Sequence, residues 1–300
     1  MEKWRSPLRY PGGKIKMAPF LRQLLKDNPK IKNYIEPFAG GAGIAINLLL
    51  NNLIDHITLN DYDIAIFCFW KSLVENNKEF MELFENTPIT ISEWHNQRFI
   101  FQNLEKRNIK NLSTSEIIQL GFSTFYMNRT NFSGILRGAT PVGGLKQTGK
   151  WKLDCEFNKE RLRPLLIKIG QKAENITISN LDMVNSLSSL NKGNSNYTDT
   201  ESLMFIDPPY IKQGKRLYLP IKTMEDHKKI ALQIKNLSCH WLLTYDAVNE
   251  LMDYYNFANN KFIYSLQYKV KTHRQATEFL VISNNLKYNF RNTLKVIIKD

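Results

Sequence analysis

The stretch YIEPFAGGAGIA, residues 34–45, reads as a short buried strand that ends in an acid, a glycine-rich turn and the start of an apolar helix. Three glycines, Gly40, Gly41 and Gly43, let the backbone approach a ligand where side chains would collide. The spacing is not the dinucleotide pattern G-x-G-x-x-G, and no Lys-Ser or Lys-Thr closes it, so a pyrophosphate is disfavoured. A nucleoside carrying a charged amino-acid tail fits it better, set against a plain tight turn without a ligand. A second strand signal, HITLNDY (56–62), follows the helix and completes a β-α-β unit. Its end places Asp61 about twenty residues past the turn, where an acid can accept both hydroxyls of a ribose.

Outward from that unit, strand patterns resume at NITIS (175–179), SLMFID (202–207), CHWLLTY (239–245), KFIYSLQY (261–268) and TEFLVIS (277–283), with a helix over about 224–236. The last two, joined by a basic turn, suggest an antiparallel hairpin. From Ile64 to Phe125 the signals are helical, with a cap-rich break at TPITISEW (87–94). The stretch NRTNFSGILRGATPVGGLKQTGK (128–150) sets glycines among basic and aromatic residues, which no core strand tolerates; it reads as a surface loop or ribbon. Together these predict an α/β chain with a mostly parallel sheet and an antiparallel C-terminal hairpin. The expected catalytic domain is discontinuous, 1–75 and 160–300, around an inserted helical domain, 76–159.

Composition narrows the partners. A net charge of +13 over 300 residues concentrates polyanions at the surface, so nucleic acid or an anionic membrane is the expected partner, unless the lysines serve only solubility. Cys68, Cys155 and Cys239 form no C-x-x-C pair and no evident disulfide framework, which suits a reducing cytosol. The five histidines show no metal-ligand spacing, so no metal is expected. GIAINLLLNNLI (43–54) is too short and too Asn-broken to span a bilayer. GLKQTGKW (144–151) has phosphate-loop spacing, but Trp151 stands where a Ser or Thr must bind Mg²⁺, and no strand precedes it.

The chemistry concentrates in SLMFIDPPYIKQG (202–214). An exocyclic amine on a base is a poor nucleophile because its lone pair is conjugated with the ring. It needs acceptors that favour a pyramidal nitrogen. Asp207 can accept one N–H and the carbonyl of Pro208 the other, since the fixed φ angles of Pro208 and Pro209 aim it outward; Tyr210 would stack on the base. ISNLDMV (178–184) places Asp182 and Met183 just past another strand, an acid and an apolar neighbour suited to an adenine amino group and ring face. Either Asp61 or Asp182 alone would more often be a helix cap.

The chain resembles the Dam-type, D12-class (alpha-group) DNA adenine-N6 methyltransferases. The resemblance rests on PLRYPGGK (7–14), EPFAGGAG (36–43), FYMNRTNFSGILR (125–137) and DPPY (207–210), in the family order over nearly the full length. It implies a Rossmann-like methyltransferase fold, S-adenosylmethionine as methyl donor, and a double-stranded DNA substrate whose target adenine is flipped. Trp4, Tyr10 and Lys14 match the family's N-terminal donor-binding segment, with Lys14 pairing the methionine carboxylate. Pro37, Phe38 and Ala39 match the glycine-turn segment, Asp61 the ribose acid, and Asp207 to Tyr210 the catalytic tetrad. In the recognition segment, Phe132 matches a wedging aromatic and Arg137 a base-reading arginine. Arg129, Asn131, Ser133, Ile135, Lys146 and Lys150 complete the expected DNA contacts. Ser133 and Ile135 depart from the Asn and Leu of GATC-specific relatives, which leaves the target site open. A cytoplasmic monomer is expected, with a cognate restriction endonuclease as a candidate partner. An RNA base methyltransferase is the alternative; a non-enzymatic DNA-binding protein would leave 36–43 and 207–210 without a role.

Overall fold

The computed structural model describes residues 4–10, 12–182, 187, 196–209, 223–268, 274–291 and 293–299. Tyr210, Met183 and the turn between the last two predicted strands lie outside them. Eight strands form one sheet: β1 (Asn33–Glu36), β2 (His56–Asn60), β3 (Ile176–Ser179), β4 (Ser202–Ile206), β5 (His240–Asp246), β6 (Asn260–Tyr268), β7 (Arg274–Ile282) and β8 (Lys295–Lys299). Their order is β3-β2-β1-β4-β5-β7-β6-β8. The first five run parallel, whereas β7, β6 and β8 join by antiparallel pairing. Apart from β8, a strand the sequence patterns did not signal, this is the expected sheet.

The central strands β4 and β5 are apolar at successive positions because both faces are covered. Leu203 and Phe205 of β4, with Leu242, Leu280 and Ile282, face one apolar cluster; Met204 and Ile206, with Leu243, Tyr245 and Val281, face the other. The first face is covered by α1 (Ala18–Asp27), α2 (Gly43–Leu50) and α3 (Ile64–Glu75), and the second by α8 (Met224–Lys235) and α9 (Asn249–Asp253). Side-chain alternation along a strand thus builds a three-layer sandwich.

The helical stretch comprises α4 (Asn77–Asn86), α5 (Ile91–Leu104) and α6 (Thr114–Thr130), and α7 (Lys159–Gln171) leads back to the sheet. Its starts are written locally. Thr90 caps α5 by accepting from the Glu93 N–H at 3.1 Å, and Ser113 with Glu116 forms a capping box on α6. The stretch joins the main core through α4 and α6, where Phe69 of α3 stacks on Phe125 of α6 at 5.9 Å and Phe80 of α4 meets Phe122 edge-on at 5.7 Å, while Phe101 and Leu104 of α5 and Leu120 of α6 pack on Ala65, Phe67 and Cys68 of α3 in a smaller cluster.

Candidate active site

From β1 the chain proceeds outward through β2 and β3, and from β4 it proceeds the other way through β5, so the strand order reverses between β1 and β4. In an open α/β sheet the crevice beyond the carboxyl ends of the strands at such a reversal is where ligands bind. Glu36 ends β1 and Asp207 follows β4, which puts the glycine turn and the DPP segment side by side. Glu36 is buried and accepts the Ala45 N–H at 3.3 Å, which ties the end of the strand to α2. Burial pushes its carboxyl up to about 8.

The turn itself is conformationally demanding. Gly40 has φ +46°, and a Cβ there would lie 2.7 Å from Cε1 of Tyr10; a Cβ on Gly41 would lie 2.9 Å from the Tyr10 Cβ. Tyr10 therefore packs directly on the turn, and only glycine admits it. Asp61, half-buried at the end of β2, accepts the Gly40 N–H at 2.8 Å through Oδ2 and the Asp63 N–H at 2.9 Å through Oδ1. Desolvation and the Asp63 carboxylate push it up to about 7, against the pull of these two N–H groups. Pro37 is buried and its carbonyl accepts from Asn60 at 3.1 Å; the Ala39 N–H donates to the Asn60 carbonyl at 2.9 Å. Phe38 is half-buried against the second apolar cluster, and Gly43 opens α2. Asp182 stands just past β3, whose following residue, Asn180, donates to the Asp61 carbonyl at 2.6 Å. Trp4 sits elsewhere: Asn47 of α2 donates to its carbonyl at 2.8 Å, and Lys168 of α7 lies 4.2 Å from its ring centre.

Asp207 has a charged partner. Lys14 Nζ lies 3.1 Å from Asp207 Oδ2 and 3.7 Å from Glu278 Oε1, and it donates to the Gly12 carbonyl at 3.2 Å. Thr244 of β5 donates to Asp207 Oδ1 at 2.8 Å, and Tyr264 of β6 donates to Glu278. Burial raises the Asp207 carboxyl above its ordinary range, while Lys14 opposes the rise. Each Asp207 oxygen keeps a second lone pair for a further donor. Lys14, expected to pair with the methionine carboxylate, has its buried ammonium between two carboxylates of the protein. Glu278 and Thr244 were not among the sequence candidates. The available signal was an acid inside the apolar run TEFLVIS, since a carboxylate is hardly ever fully buried without a partner. Pro208 is buried and Pro209 half-buried behind Asp207.

The recognition segment divides into holding and exposed residues. Arg129 and Asn131 are buried, not surface contacts. Arg129 donates to the Pro7 carbonyl and, at 3.4 Å, to the Glu156 carbonyl. Asn131 accepts from Trp94 Nε1 at 2.8 Å and donates to the Ile135 carbonyl at 2.7 Å. Arg129 thus ties the loop to the N-terminal segment by serving its buried Pro7 carbonyl, and the Asn131 carbonyl accepts from Arg9 of that segment at 3.1 Å. Phe132 is 63% exposed at the tip, and Ser133 beside it is exposed with φ +56°. Ile135 is half-buried, and Lys146 and Lys150 are exposed, Lys150 lying 5.6 Å over the ring of the exposed Trp151. Arg137 is not presented outward: Asp63 and Glu105 hold its guanidinium.

Among the described residues, no helix is long and apolar enough to cross a membrane, and no group of His, Cys, Asp and Glu could hold a metal ion. The chain is 22% identical over 214 residues to the type II methyltransferase M.MjaIII of Methanocaldococcus jannaschii, a match covering 68% of each chain. The D12 class N6 adenine-specific DNA methyltransferase family matches residues 10–280. That span runs from the tyrosine on the glycine turn, through the DPP segment, to the strand that supplies Glu278. By that match the chain belongs to the D12 class N6 adenine-specific DNA methyltransferases.

Proposed function

We propose that the chain transfers a methyl group from S-adenosylmethionine to the N6 amine of an adenine flipped out of duplex DNA. Residues 1–75 and 160–300 carry the chemistry, and 76–159 read the duplex. The carrying observation is that Asp207 and Pro208 stand beside the Gly40 turn, at the carboxyl ends of the adjacent strands β4 and β1. The residues there suit the donor: a turn without side chains, Asp61 for the ribose hydroxyls, and Asp182 for the adenine. Bound donor supplies an electrophilic methyl on a sulfonium sulfur. Asp207 then accepts one N6 hydrogen and the Pro208 carbonyl the other, which turns the nitrogen lone pair toward the methyl. Lys14 and Thr244 keep Asp207 ionised and aimed. The new N–C bond would form as the methyl's bond to the sulfonium sulfur breaks, leaving S-adenosylhomocysteine as a neutral thioether, and the Asp207 carboxylate is placed to take the proton that N6 sheds. Tyr210 stacks on the base in this reading. In this reading the chain acts as a monomer, with a cognate restriction endonuclease as its candidate partner.

Sequencing DNA from cells that express the chain, with detection of modified bases, tests the activity and gives the motif. The expected result is N6-methyladenine at one short site. Methylation confined to RNA, or none, overturns the reading.

Asp61 gives a prediction on the donor side. Losing a hydrogen bond to a charged acceptor costs about 1.5–3 kcal/mol, so Asp61→Asn is expected to weaken donor binding by that amount in calorimetric titration. The ionised carboxylate accepts both hydroxyls and the protonated one does not. Because its carboxyl lies near 7, wild-type donor affinity should therefore rise from pH 6 to pH 8, and this rise should vanish in the Asn variant.

On the DNA side, Lys146→Ala and Lys150→Ala should weaken cognate and non-cognate duplexes alike. Removing a lysine that neutralises one phosphate flattens the salt dependence by about one unit. Binding measured from low to moderate salt checks this, and a change confined to the cognate duplex would assign these lysines to base reading.

A further inference from the structure

Arg137 lies between the recognition loop and the donor side of the crevice. Nη1 and Nη2 grip Asp63 at 2.6 and 3.0 Å, and Nε donates to Glu105 at 2.7 Å, with the Phe101 ring 5.6 Å away. A bidentate contact to guanine needs one free edge of the guanidinium. Here the Nη1–Nη2 edge is taken by Asp63, and the Nε side by Glu105.

Asp63 is not an isolated surface acid. Its side chain caps α3 by accepting the Ala65 N–H at 3.0 Å, and its own N–H donates to Asp61 at 2.9 Å. Asp61 in turn accepts the Gly40 N–H at 2.8 Å, and the Gly40 carbonyl accepts from the buried indole of Trp70 at 2.9 Å. A continuous run of hydrogen bonds therefore leads from the loop at 131–137 to the turn on which the donor is read to lie. Asn180 holds the carbonyls of Asp61 and Tyr62 at 2.6 and 3.0 Å, so the backbone of the turn stays anchored, and Arg137 is the group that fixes the Asp63 carboxylate from the loop side.

We propose that Arg137 is a positioning residue for donor binding: by clamping Asp63 it sets the orientation of Asp61 and the Gly40 turn, and so couples the recognition loop to the donor site. The proposal rests on the reading of Asp61 as the ribose acid.

The test is a calorimetric titration of S-adenosylmethionine, without DNA, into the full chain and into Arg137→Ala, Arg137→Lys, Asp63→Asn and the Arg137→Ala/Asp63→Asn double variant. Circular dichroism establishes that each is folded. Coupling free energies between sites commonly amount to 5–150-fold in affinity, and about tenfold weaker binding is expected for Arg137→Ala. Arg137→Lys, which can still reach Asp63 with one ammonium, should recover part of the loss. The double variant should bind no more weakly than the worse single variant, because both substitutions break the same link. If Arg137→Ala fails to fold, Arg137→Lys and Asp63→Asn carry the same comparison. Wild-type affinity in folded Arg137→Ala and Asp63→Asn overturns the proposal alone; if methylation then loses preference at one base pair, Arg137 is a base reader. Failure of the wild-type chain to bind the donor overturns the reading of the site, and the proposal with it.

Discussion

Asp207→Ala is expected to lower the single-turnover rate of methylation by about 10²–10³ while donor binding stays close to wild type. Removing one preorganised acceptor that acts on charge developing in the transition state typically has that effect. The structure indicates why the fold should tolerate it. Lys14 keeps Glu278 and the Gly12 carbonyl as partners, so no buried ammonium is left alone. Thr244 loses an acceptor but retains its place inside β5. Rapid-quench methylation at saturating donor, paired with calorimetric titration of the donor, separates the two effects. Near-normal turnover would remove Asp207 from the chemistry.

Lys14→Met should be the more damaging substitution for stability. It leaves Asp207 and Glu278 facing each other without the ammonium between them, and removing one member of a buried ion pair costs about 3–5 kcal/mol. For a chain of this size about 1 kcal/mol moves Tm by roughly 2–4 °C, so a fall on the order of 10 °C is expected at neutral pH. The pH dependence carries the sign. Asp207 already lies above its ordinary range through burial, and the variant removes the Lys14 pull that opposes the rise. A carboxyl whose folded-state pKa exceeds its unfolded value binds protons more tightly when folded, so the variant should regain stability as pH falls through that raised value. Thermal melts at descending pH check this; an unchanged Tm at every pH would show that the Lys14 charge holds nothing together. Methylation should be lost as well, since Asp207 would be drawn toward its neutral form.

The local rules written in residues 34–61 predicted the first β-α-β unit of the sheet. Strand, glycine turn, helix and second strand follow from apolar runs and turn residues, and β1, α2 and β2 form where those patterns lie. The positive φ at Gly40 and the contact with Tyr10 are the three-dimensional form of a glycine pattern visible in one dimension. Asp207 at the end of β4 was legible for the same reason, because Asp-Pro-Pro after an apolar run stops a strand at its carboxyl edge. The strand β8 was not legible: Lys295–Lys299 alternates weakly and pairs with β6 only at the sheet's edge.

The residues that surround Asp207 come from distant parts of the chain. Lys14 arrives from the N-terminal segment, Thr244 from β5 and Glu278 from β7, and no spacing in the sequence links them. The same holds for the recognition segment, where Arg129, Asn131, Phe132 and Arg137 look alike as candidate DNA contacts. Packing sorts them, because Arg129 serves the buried Pro7 carbonyl, Asn131 is buried against Trp94, Phe132 is left in solvent, and Arg137 meets Glu105 just past the end of α5 and Asp63 of the β2–α3 turn. By itself the sequence determined the succession of strands along the chain as far as β7, the glycine turn and the family to which the chain belongs, since backbone preference and apolar periodicity act over a few residues. Only the tertiary structure decided which charges pair. An ammonium or guanidinium binds the carboxylate that folding brings within a few ångströms, and that distance is set by how the whole sheet packs.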